Sequence, residues 1–224
     1  VQRTPPTGTR AVIIGNGPSV DLIPSAFWRE AQEDTSCLLV GTNRALCLCA
    51  LQGVRLDAVV LRDTYRGFWQ DQQLCCRYHN ELWKPAACWR VGPAASRVTF
   101  CDEFVRTAPG WQYEIVRDKN DEYAVMTQST VVLFAAGWAW LHGCRDIGLV
   151  GFDYRPGRPK MLEPYESTPQ RWLGQYEKPV PDYIERQCKR SRAAVESHGG
   201  RLVNLSSGSL VRGLPLCSTT DFLR

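Results

Sequence analysis

Short apolar runs that break off into polar residues recur along this chain, and that repeat limits the fold more than any other feature. Ala11 to Ile14 runs straight into Gly15-Asn16-Gly17-Pro18-Ser19, Cys37 to Gly41 ends in Thr42-Asn43-Arg44, and Asp57 to Leu61 ends in Arg62-Asp63-Thr64. A fourth run, Ile147 to Gly151, leads into Phe152-Asp153-Tyr154. Apolar runs of four or five residues without alternation read as strands buried on both faces, which is the habit of a parallel sheet. Helical stretches are expected at Leu22 to Gln32, Ala45 to Leu51, roughly Ser129 to Leu141 and about Pro181 to Ser197, the last stopped by Gly199-Gly200 before a strand near Leu202 to Leu205. Ala87 to Val91, Val98 to Phe100 and Tyr113 to Val116 suit further short strands. The pattern predicts an α/β fold: one Rossmann-like domain over residues 11–224, its mainly parallel sheet flanked by helices, behind an N-terminal tail at 1–10.

Composition narrows the class. The chain has 224 residues, 44% of them hydrophobic, with no apolar run near the ~20 residues that a membrane helix needs. The start, VQRTPPTGTR, lacks the apolar stretch of a secretory signal. The expectation is a soluble protein, cytoplasmic or otherwise intracellular. The formal net charge of +4 is compatible with an anionic ligand but far from a nucleic-acid coat. Ten cysteines are scattered without regular spacing, so they read as mostly reduced and buried. Cys75, Cys76, His79 and Cys88 are close enough for a structural zinc, although buried thiols beside a surface histidine are preferred, and no metal is assigned. His142 and His198 each precede glycine at an expected helix end and read as structural.

In open α/β sheets ligands bind beyond the carboxyl ends of the strands, so the polar strand ends point to one crevice. The Gly15–Ser19 turn is its sharpest element, because glycines permit close backbone approach to an anion or sugar. It matches neither the dinucleotide fingerprint nor a nucleoside-triphosphate P-loop. Between Tyr154 and Val180, prolines and glycines interrupt any period over about 25 residues, which suits a lid or binding loop. Arg155, Arg158, Lys160 and Arg171 cluster there, as a phosphate contact requires. Trp172 on the same segment is placed to stack on a sugar or base, or merely to anchor the lid. Trp138 and Trp140 alternate within a helix, so they face different directions.

Ala-Val-Ile-Ile-Gly-Asn-Gly-Pro-Ser, Gly-Thr-Asn-Arg, Thr-Gln-Ser before a helix and Ile-Gly-Leu-Val-Gly-Phe-Asp-Tyr, in this order, resemble the bacterial sialyltransferases of glycosyltransferase family 42. They resemble equally the related 6-hydroxymethylpterin diphosphokinase-like domains (domain of unknown function 115). The resemblance implies a glycosyltransferase that moves a sugar from a nucleotide-activated donor to an acceptor hydroxyl. It implies donor-nucleotide contacts along Gly15, Asn16, Gly17, Pro18 and Ser19, at Asn43, at Asp63 where the family carries asparagine, and at Thr127 and Ser129. It also implies that Tyr154 and Tyr165 bind the departing phosphate, with Arg155 and Arg158 closing from the lid.

One departure stands out. The family's lid histidine, its general base, is absent from Trp172-Leu173-Gly174-Gln175-Tyr176-Glu177. Asp63, Asp153 and Glu177 are the candidate replacements, since glutamine cannot take a proton and an acceptor hydroxyl is a poor nucleophile at neutral pH. The acceptor is open among a glycan, a small molecule and a hydroxylated DNA base. No cofactor is required beyond the donor. Two alternatives stand beside this reading: a diphosphokinase with Mg2+ on Asp63 and Asp153, and a non-catalytic nucleotide-binding protein.

Overall fold

Seven strands, all parallel, lie in the order β5-β4-β3-β2-β1-β6-β7. They are β1 Arg10–Ile14, β2 Cys37–Thr42, β3 Ala58–Val60, β4 Trp89–Pro93, β5 Gln112–Val116, β6 Asp146–Val150 and β7 Arg201–Asn204. The computed structural model describes residues 8–42, 45, 53–60, 89–93, 112–116, 130–157 and 179–224. The helices among them are α1 Ser25–Glu33, α2 Val131–Leu141, α3 Asp182–Ser197 and α4 Thr219–Leu223. The fold is the expected α/β architecture with a Rossmann-like parallel sheet. No helix among the described residues is long and apolar enough to cross a membrane.

The strand order reverses once. From β1 the chain steps outward through β2, β3, β4 and β5, then returns along α2 to lay β6 on the other side of β1. Helices cover both faces, so β1 and β2 are buried along nearly their whole length. Ala11 and Ile13 of β1, with Leu38 and Val40 of β2, share one core with Leu133, Ala136 and Trp138 of α2 and with Ile184 and Cys188 of α3. Strand alternation turns Val12, Ile14 and Leu39 to the opposite face. That face carries α1, and α4 closes it, with the Phe222 ring against the bare backbone of Gly148.

Local differences from the sequence reading have plain causes. The helix expected over Leu22 to Gln32 is instead a 3-10 turn, Pro18–Leu22, followed by α1 from Ser25. Pro24 divides them, because a proline disfavours helical backbone in the residue before it. Gly17 is the N-cap of the 3-10 turn, and the Ser19 hydroxyl has no partner among the described residues. At α2 the cap is Thr130, whose side chain accepts from Leu133 N–H at 3.1 Å. The expected elements at Ala45 to Leu51 and Val98 to Phe100 lie outside the described residues, apart from Ala45.

The edge formed by the strand starts is stitched with charge. Arg201 grips Asp146 with two bonds of 2.7 and 2.8 Å, while Arg10 reaches both Asp146 and Asp34 at 3.4 and 3.3 Å. The two guanidinium groups lie 5.6 and 5.4 Å from the Phe222 ring centre, and Arg10 also donates to the Leu223 carbonyl. His142 and His198 are the helix-end residues expected, capping α2 and α3. Trp138 is fully buried, whereas Trp140 lies at the periphery under Arg145, 4.0 Å away. Both stand near the end of α2 that is remote from the crevice.

Candidate functional site

The reversal of strand order leaves a crevice between the carboxyl ends of β1 and β6. Three pieces of chain meet there: the Gly15–Ser19 turn after β1, the Gly151–Gly157 corner after β6, and the start of α2. Val132 at that helix start lies 3.2 Å from the point a Cβ on Gly15 would occupy.

The turn is built against β6. Gly15 N–H donates to Val150 O at 2.7 Å, Gly17 N–H to Gly151 O at 2.9 Å, and Ser19 N–H to Asp153 Oδ2 at 2.7 Å. A Cβ on Gly17 would stand 2.7 Å from both Asp153 Cγ and Gly151 O, closer than carbon atoms tolerate. Gly17 itself has φ −80°, so no unusual backbone conformation calls for glycine there. The expectation that these glycines open backbone amides to a ligand is thus corrected: their close approach is to β6, and those amides are already paired. Gly151 is demanding on both counts, with φ +69° and Val20 Cγ2 2.6 Å from its missing Cβ.

Asp153, one of the three candidate bases, is 2% exposed and holds the start of the 3-10 turn through Ser19. Its Oδ2 thereby anchors the corner after β6 to the turn after β1. Among the described residues no three His, Cys, Asp or Glu side chains gather as a metal site.

What the crevice offers a ligand is side-chain chemistry. Asn16 donates from Nδ2 to Thr42 O at 3.3 Å, and Thr42 Oγ1 donates to Ile14 O at 2.8 Å, tying the ends of β1 and β2. Asn16 Oδ1 is buried without a partner among the described residues, as is Ser19 Oγ. A buried acceptor left unpaired costs about 1–3 kcal/mol. Tyr154 adds a second irregularity: its φ of +51° makes it the one non-glycine residue with positive φ among the described residues. Such backbone costs on the order of 1–3 kcal/mol and gathers at functional sites. Its ring meets the Phe152 ring edge-on at 5.7 Å, and Arg155 donates to Ser207 O at 3.3 Å.

The sequence reading missed Asn204, Ser206 and Ser209, buried polar residues at and after the end of β7 that bind the Phe152 backbone. Of the expected site, Asn43, Asp63, Thr127, Ser129, Arg158, Tyr165 and Glu177 lie outside the described residues, together with Trp172 and the Cys75, Cys76, His79 and Cys88 group. The described cysteines are free, and burial pushes the thiols of Cys37, Cys144 and Cys188 up to about 12.

No family model matches the chain, and no curated protein matches it. Among solved structures it resembles the MAf glycosyltransferase from Magnetospirillum magneticum AMB-1, with a TM-score of 0.59 at 14% identity over 98% of the chain. The chain spans 35% of that protein's length. At this identity the two share a fold. The likeness shows a shared α/β fold and does not separate the two families that the chain's motifs resemble.

Proposed function

We propose that the chain is a glycosyltransferase that moves a sugar from a nucleotide-activated donor to an acceptor hydroxyl, with the donor in the crevice between β1 and β6. The observation that carries this reading is the buried Asn16 Oδ1, without a partner among the described residues, at the reversal of strand order in a fold shared with a glycosyltransferase. An amide oxygen there accepts from a ribose hydroxyl or a base amino group. Gly15, Gly17, Pro18 and Ser19 shape that wall of the pocket, and Asn43, Asp63, Thr127 and Ser129 complete the nucleotide contacts. The N-terminus of α2 favours the negative charge of the phosphates.

The acceptor oxygen attacks the anomeric carbon while the bond from that carbon to the nucleotide phosphate breaks. Tyr154 and Arg155, joined by Arg158 and Tyr165, neutralise the charge that develops on the departing phosphate. The proton of the acceptor hydroxyl passes to Asp63 or Glu177, with Asp153, whose Oδ2 already accepts from Ser19 N–H, as the third candidate. The acceptor is a hydroxyl of a glycan, a small molecule or a modified DNA base.

Calorimetry and thermal shift against nucleoside mono-, di- and triphosphates and nucleotide sugars, with and without Mg2+, test the reading. Metal-independent binding of a nucleotide sugar or its nucleotide is expected, with concentration-dependent stabilisation. Binding of ATP alone, and only with Mg2+, would replace it with the diphosphokinase. Nucleotide-sugar binding without turnover on any class of acceptor hydroxyl would leave a non-catalytic nucleotide-binding protein.

A further inference from the structure

Beyond Val150 the chain leaves the sheet, so the N–H and C=O groups of the corner after β6 have no strand to pair with. Side chains from the end of β7 take that place. Phe152 N–H donates to Ser206 Oγ at 3.0 Å, and Phe152 O accepts from Asn204 Nδ2 at 2.9 Å and from Ser209 Oγ at 3.0 Å. The three side chains also fix one another. Asn204 Nδ2 donates to Ser209 Oγ at 3.0 Å, Asn204 Oδ1 accepts from Ser206 N–H at 3.0 Å, and Ser209 Oγ accepts from Val211 N–H at 3.1 Å. A donor faces Oδ1 and acceptors face Nδ2, so the amide has one workable orientation. Asn204 and Ser206 are fully buried and Ser209 is 2% exposed, where no water competes.

The next residues are held as firmly. Asp153 O accepts from Leu210 N–H at 2.8 Å, and Asp153 Oδ2 is held by Ser19 N–H at 2.7 Å. Arg155 reaches Ser207 O at 3.3 Å. Tyr154, with φ +51°, is therefore bent between pinned neighbours on both sides. Backbone in this region persists in a non-glycine residue only where the surroundings impose it. We infer that Asn204, Ser206 and Ser209 are positioning residues that set Tyr154 at the crevice through Phe152. Their consequence for ligand affinity rests on the reading of that crevice as the donor site.

The test uses the full chain labelled with 3-fluorotyrosine, with the Tyr154 signal among the 8 tyrosines assigned by Tyr154→Phe. Ser209→Ala and Ser206→Ala each remove one hydroxyl, and the pair keeps the test open if one variant does not fold. Arg201→Gln, at the far edge of the sheet, is the control for destabilisation alone. Either serine variant is expected to shift or broaden the Tyr154 fluorine signal, and the control to leave it in place. Donor affinity, measured with the nucleotide sugar that binds the parent protein, is expected to fall ~3- to 10-fold in Ser209→Ala. Tyr154→Phe and the Tyr154→Phe/Ser209→Ala double variant should then bind alike, because the serine acts through the tyrosine. An unmoved Tyr154 signal in a folded serine variant would overturn the inference, and so would losses of affinity that multiply in the double variant. A shifted signal in a protein that binds no nucleotide or nucleotide sugar would uphold the positioning and overturn the donor site.

Discussion

The two edges of the sheet are built from opposite materials. Where the strands begin, Arg10, Asp34, Asp146 and Arg201 satisfy one another and enclose Phe222. Where they end, Asn16 and Ser19 carry buried oxygens with no partner among the described residues, and Tyr154 holds a backbone conformation that its side chain disfavours. Both edges belong to the same three strands, β1, β6 and β7. At the first edge the charged groups pair with one another, whereas at the second two buried oxygens have no partner among the described residues and are, on the proposed reading, met by a ligand. Damage to the first edge should therefore cost folding, whereas damage to the side chains of the second should cost binding.

The largest expected effect is alkaline. Cys37 and Cys144 lie near the stabilising edge and Cys188 within α3, and burial holds all three thiols protonated up to about 12, against 9.0 for an ordinary thiol. Their contribution to stability is complete below pH 9 and is lost progressively as pH rises towards 12, since the unfolded chain ionises first. Urea titrations at several pH values between 8 and 11 should show the fall, and Cys188→Ala should flatten it. Phe222→Ala comes next, with a loss of about 3–5 kcal/mol in stability from an aromatic ring that is fully buried. The same variant should leave the affinity for a crevice ligand unchanged, and a parallel loss of affinity would break the division between the edges.

Gly17→Ala probes their one overlap, because it sits at the recognition edge yet its Cβ would strike Asp153 and Gly151. A loss of roughly 1–3 kcal/mol is expected on denaturation, and unchanged stability would show that the turn can move away from β6. Asp146→Asn should cost on the order of 1 kcal/mol, less in high salt, because the partners are partly exposed. Asn16→Ala is the smallest in stability, within about 1 kcal/mol by thermal melting, as it removes an unpaired oxygen along with a 3.3 Å bond. It should be the largest of these variants in binding, and a stability loss like that of Phe222→Ala would mean that Asn16 is structural.

The fold was legible because a parallel sheet covered on both faces writes itself as unbroken apolar runs. Ala11–Ile14, Cys37–Gly41 and Ile147–Val150 could be read without any knowledge of their neighbours. Pro24 marks the break between the 3-10 turn and α1, and the apolar pattern across Leu22 to Gln32 masks it. α4, with five residues, is too short to show a period. The site was legible in position and not in purpose. Gly17 stands out in the sequence, yet the contact that demands it is with Asp153, and nothing local encodes that pairing. Ser206 and Ser209 look like any solvated loop, and Asn204 like any polar residue near a strand end, since their partner Phe152 lies more than fifty positions earlier.

The bond from Ser19 to Asp153 joins residues 134 positions apart. Closing so long a loop carries an entropic cost before any contact rewards it, and contacts of this kind form late in folding. A growing chain can lay down β1 and β2 and pair them, but it has no crevice until β6 has emerged and docked. Partly folded chains are thereby without this crevice, which begins to form only when β6 docks beside β1 and is completed by the residues at the end of β7.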